Sequence, residues 1–130
     1  MNKLLTTITL LCFSIGAIAQ EKQIWACQQV KGTLLRWEES KWEDYGISPG
    51  TLLLTIDGNQ SIRKEGDSDV PLECAVKFSI VECTADFAAG TSIVLDPETG
   101  KMGMSELYGA LSIGQTRDTV SVEVFNCTKF

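Results

Sequence analysis

The chain has 130 residues, 44% of them hydrophobic, with eleven Lys and Arg against seventeen Asp and Glu and no histidine. That length builds one domain with a modest core, and the net charge of −6 disfavours nucleic acid and anionic membrane surfaces, which are bound through clustered Lys and Arg. Without histidine there is no Ser-His-Asp or Cys-His nucleophile and no His-ligated metal hydrolase, so an enzyme is not expected.

Residues 1–19 read as a signal peptide. Lys3 supplies the basic start, LLTTITLLCFSIGAI the apolar run, and Ala17-Ile18-Ala19 an A-x-A cleavage site. The run is too short and wrongly flanked for a membrane-spanning helix, so no membrane insertion is expected after cleavage. Bulky Leu11 before Cys12 argues against a lipoprotein anchor. Cleavage before Gln20 leaves residues 20–130 as a single exported domain, periplasmic or extracellular. Lys3 leaves with the leader, making that domain one unit more acidic. Negative charge keeps an exported protein soluble, and a basic protein is the partner that such a charge would favour.

Along the domain, QIWACQ is the first strand-like segment. LRWEESKWEDYG follows, and its apolar spacing fits either a helix or a hairpin. As a hairpin with Glu38–Lys41 as a four-residue turn, Trp37 and Trp42 oppose each other. Gly32 and Gly46 bracket the segment, which favours the hairpin. TLLLTI alternates, with Leu52, Leu54 and Ile56 in one row, and Asp57-Gly58-Asn59 turns it towards a polar strand near Ser61–Lys64. EGDSDVPLE, residues 65–73, reads as a polar loop. SIVECT and TSIVLD are strand-like, and Asp96-Pro97-Glu98-Thr99-Gly100 is a turn that should pair residues 91–96 with 101–108. Residues 109–117 look like a longer connection, and in TVSVEVFN the valines 120, 122 and 124 share one face of a final strand. The expected fold is all-β: a small antiparallel meander of about eight strands, stapled by disulfides, closing into a barrel or sandwich.

Four cysteines follow the leader, Cys27, Cys74, Cys83 and Cys127. An even count in a short exported chain implies two disulfides, and the absence of C-x-x-C pairs argues against zinc. If first and last strands become neighbours, Cys27 can bond Cys127. That leaves Cys74 with Cys83, which a straight strand would hold roughly 30 Å apart. Either the chain bends within AVKFS or the pairing is crossed.

The stretches IWAC, LRWEESKW, LDPETGKMGMSELYG and RDTVSVEVFNCTKF together resemble a group of short, uncharacterised exported bacterial proteins. That likeness implies export and a compact disulfide-bonded domain. Trp25-Ala26-Cys27 is also similar to the opening strand of the periplasmic inhibitors of C-type lysozyme, small β-barrels whose S-G-x-x-Y loop has no match here.

Candidate functional residues are few. Trp37 and Trp42, with Tyr108, are the candidates for a recognition surface. The competing reading places the tryptophans in the core, which the size of the domain favours. Glu38, Glu39, Glu43 and Asp44 cluster as carboxylates for acid–base chemistry on a glycoside, though a solvated turn is the commoner use of such a run. Asp67 and Asp69 lack the EF-hand spacing for calcium, and Arg117 beside Asp118 reads as an ion-pair partner. No cofactor is implied. The function these features favour is non-catalytic binding of a protein partner. A lipocalin-like carrier of a small apolar ligand and a lysozyme-inhibitor-like protein are the alternatives.

Overall fold

The computed structural model describes residues 21–85, 90–108 and 119–130. The leader, the 109–117 connection and the Arg117-Asp118 pair lie outside them. Among the described residues, nine strands form one antiparallel sheet: β1 (Gln23–Glu38), β2 (Lys41–Gly46), β3 (Thr51–Ile56), β4 (Ser61–Glu65), β5 (Ser68–Lys77), β6 (Ile80–Ala85), β7 (Thr91–Leu95), β8 (Lys101–Tyr108) and β9 (Thr119–Lys129). Strands β1 and β3–β9 close into an eight-stranded barrel because β1 pairs with both β3 and β9.

The remaining strand, β2, follows from the length of β1. The first half of β1 pairs with β3 from Gln23 to Gln28, and the second half pairs with β2 from Thr33 to Glu38. Strand β9 runs along the other edge throughout. A bulge between Gln29 and Lys31 separates the halves. There the backbone of Gln29 bonds Gly50, and its side-chain oxygen accepts from the Gly50 amide at 2.9 Å. The side-chain nitrogen then lies against Gly32, where a Cβ would stand 2.4 Å from it, so a larger residue there would have to displace the Gln29 amide.

Alternation fills the barrel. Trp25 and Cys27 from β1, Leu52, Leu54 and Ile56 from β3, Ile93 and Leu95 from β7, Met102 and Met104 from β8 and Phe125 from β9 are all buried. Eight strands enclose a space that side chains of this size occupy. Cys27 and Cys127 are directly opposed on β1 and β9 and form one disulfide, so the last strand is stapled to the first. Cys74 and Cys83 are opposed on β5 and β6 and form the other. The chain does bend within AVKFS: Phe78 and Ser79 take positive φ in a two-residue turn.

One sequence expectation is corrected. Residues 65–73 are not a loop; only Gly66 and Asp67 turn, and β5 begins at Ser68. Val70, Leu72 and Cys74 alternate towards the core beneath a polar composition. Pro71 is tolerated because it opposes Ile62 on β4, while pairing with β6 starts only at Glu73. The Asp96–Gly100 turn forms as expected. The Asp96 carboxylate accepts from the Thr99 hydroxyl at 2.7 Å and the Glu98 amide at 2.9 Å, which hold its pKa below the usual range. Gly100 has φ +68°, and a Cβ there would meet the Cys127 carbonyl oxygen at 2.2 Å.

Candidate functional site

The β1–β2 hairpin places Trp37 directly opposite Trp42. Their rings meet edge to face with centroids 5.4 Å apart. Both point outward, 40% and 47% exposed, so they do not belong to the core; only Trp25 does. The reason is the bulge between Gln29 and Lys31, which shifts the alternation by one: Trp25, Cys27 and Gln29 face the core before it, whereas after it Thr33, opposite exposed Val122, shares the outward row with Leu35 and Trp37.

Below the pair, the register builds a continuous outer face. Leu35 opposes Val120, which opposes Leu107; Thr33 opposes Val122, which opposes Ser105. Two residues further along the strands, Lys31, Val124, Gly103 and Val94 stand in one row across β1, β9, β8 and β7. Leu35, Leu107, Val122, Val124 and Val94 are all exposed. Gly103 has no side chain to cover the sheet, and a groove of about 490 Å³ runs over it between Val94 and Val124, with Lys101 and Asp96 at one end. A Cβ on Gly103 would meet nothing within 4 Å, so neither packing nor backbone conformation within this chain calls for glycine there.

Tyr108 ends β8 opposite Thr119, whose partner on β1 is Arg36. The register thus brings the strand positions of all three selected aromatics to one end of the barrel.

Comparisons with protein-family models, with curated proteins and with solved structures give no match. The chain's own geometry has to carry the functional reading.

Three of the four clustered carboxylates are engaged within the hairpin. Glu38 accepts from the Tyr45 hydroxyl at 2.9 Å and lies 3.3 Å from the Arg36 guanidinium, which also stacks on the Tyr45 ring. The bond to Glu38, foremost, raises the Tyr45 pKa. Glu43 pairs with Lys41 at 2.5 Å, a contact that raises the lysine's pKa. Asp44 faces the other side of the hairpin and accepts from Thr33. Glu39 sits in the turn itself. Asp69 lies 3.9 Å from Lys64, and Asp67 occupies the β4–β5 turn.

Sequence reasoning did not find the polar end of the barrel. Arg63 of β4 and Glu106 of β8 form an ion pair inside it, both about 95% buried, with the Thr91 hydroxyl 3.3 Å from the same carboxylate. Glu123 lies nearby on β9. Burial first, then the charges of Glu106 and Glu65, push its pKa up, against an opposing pull from Arg63. Its carboxylate therefore ionises less readily folded than unfolded. The resulting penalty is present above the folded pKa, shrinks as pH falls through it, and vanishes below the unfolded value near 4.5. Glu123→Gln should accordingly raise Tm at pH 7 and leave Tm little changed at pH 4. Thermal melts of both proteins at both pH values check this, and an equal shift at the two would refute it.

Phe78 was missed as well. It is 99% exposed at the β5–β6 turn with φ +51°, a conformation that bulky residues rarely adopt. No Gly, Asn or Asp marks that turn, so only the cysteine spacing hinted at it.

Proposed function

We propose that this protein is a non-catalytic binding module that docks a protein partner on the outer face of β8, β9, β1 and β2, with Trp37 and Trp42 as anchors. The observation that carries the reading is the continuity of that exposed apolar face from the tryptophan pair to the Gly103 groove. The largest contiguous apolar patch on a monomeric protein is often its interaction site, and tryptophan is enriched in interface hot spots. Glu39 and Asp44 flank the pair and favour a basic contact on the partner.

The carrier reading has less support, because Trp25, Leu54, Ile93, Met102 and Phe125 occupy the space a ligand inside the barrel would need. The likeness of Trp25-Ala26-Cys27 to lysozyme inhibitors concerns a buried tryptophan and a disulfide, which serve the fold rather than an inhibitory surface.

A photo-reactive residue at position 37 or 42, in the protein produced by its own host, should cross-link to a discrete protein. The same residue at equally exposed Val76, on β5 across the barrel, should not. No product from 37 and 42, or the same products from all three positions, would overturn the proposal.

A further inference from the structure

The two ends of this face differ in a complementary way. At one end two indoles stand out from the sheet beside Glu39 and Asp44; at the other a glycine leaves a notch between two valines, beside two lysines, Lys31 and Lys101, and one acid, Asp96. Neither lysine is engaged in an ion pair among the described residues. On β1, Trp37 and Lys31 are six positions apart, roughly 20 Å at about 3.3 Å per residue.

We propose that the partner of this face is a second copy of the chain, docked about a two-fold axis near Val122. The proposal rests on reading this face as a docking surface. A two-fold operation turns the face end for end, so the tryptophan end of each copy meets the Gly103 end of the other. The indoles of one copy then fill the notch of its partner, and Asp44 and Glu39 meet Lys31 and Lys101 twice in the symmetric assembly. In a chain of net charge −6, this pairing sets opposite charges against each other where a randomly oriented encounter sets like against like. It also accounts for Gly103. A glycine within a strand is destabilising relative to alanine, and close approach of another molecule is a standard reason to retain one. About 20 Å by four strands at roughly 4.8 Å gives a footprint of roughly 400 Å², half the usual 800 Å² per partner, so the dimer is weak and reversible.

Sedimentation velocity from micromolar to millimolar concentration tests this on the protein as purified from its own host. The wild type should shift from monomer to dimer across the series. Gly103→Val fills the notch at a position with open space and ordinary strand geometry, so it should keep or raise Tm while weakening dimerisation about tenfold or more. Lys31→Glu with Lys101→Glu should weaken it comparably, and adding Glu39→Lys with Asp44→Lys should restore it. A chain that stays monomeric at millimolar concentration overturns the proposal. So does a dimer indifferent to Gly103→Val and to charge reversal, which would point to pairing along the β2 edge. A monomer that still cross-links from position 37 to a different protein would remove the second copy and leave the docking face standing.

Discussion

Replacing Cys27 and Cys127 together by alanine should destabilise the domain by about 4–5 kcal/mol, and replacing Cys74 and Cys83 by about 2–3. The difference comes from loop length. The first bond closes a separation of 100 residues and the second one of nine, and the entropy removed from the unfolded chain grows with the logarithm of the loop. Location adds to it. The long-range bond sits at the seam where β9 meets β1, and both of its sulfurs lie 3.9 Å from the Met102 sulfur inside the barrel. The short-range bond joins neighbouring strands of one hairpin that the β5–β6 ladder and its two-residue turn already align. Against a total stability of about 5–15 kcal/mol, loss of the seam bond decides whether much of the chain remains folded at ambient temperature. Urea denaturation of the two double variants gives the comparison. Equal costs, or a larger cost for Cys74 and Cys83, would refute the loop-closure account.

That seam was legible in the sequence because two independent signals met there. Valines 120, 122 and 124 announced a strand, and Cys127 beyond them needed a partner that only closure would bring near. The paired tryptophans were legible for a similar reason: a turn over Glu38–Lys41 fixes their opposition whatever surrounds it. Whether they faced in or out was not, since that depends on the bulge after Gln29, which inverts the alternation along β1 and leaves no local trace. Residues 68–73 were hidden differently. Their alternation is present in Val70, Leu72 and Cys74, but acidic residues and Pro71 at the intervening positions outweighed it in composition. The Gly103 groove was beyond reach, because a lone glycine in KMGMSE says nothing about its neighbours on β7 and β9 until the register is known.

The least readable feature, an arginine inside a small barrel, carries the second large expected effect. Arg63→Met should destabilise the protein by about 3–5 kcal/mol, whereas Arg63→Met with Glu106→Leu should bring stability back to the wild-type level or above it. Period-two alternation puts Ser61 and Arg63 of β4 on the inward row, where Glu106 of β8 stands within bonding distance across the interior and offsets the charge. Removing the guanidinium leaves that carboxylate buried without its cation and near the half-buried Glu123, a second acid. Removing both members takes away the desolvation cost along with the attraction, and methionine and leucine fill a similar volume beside Met104. Urea denaturation of the single and double variants separates the cases. A single variant costing under about 1 kcal/mol would mean that Glu106 is adequately solvated without its partner. The pair also bears on function. It lines one end of the interior with charge, so an apolar ligand entering there would have to strip both groups of their contacts.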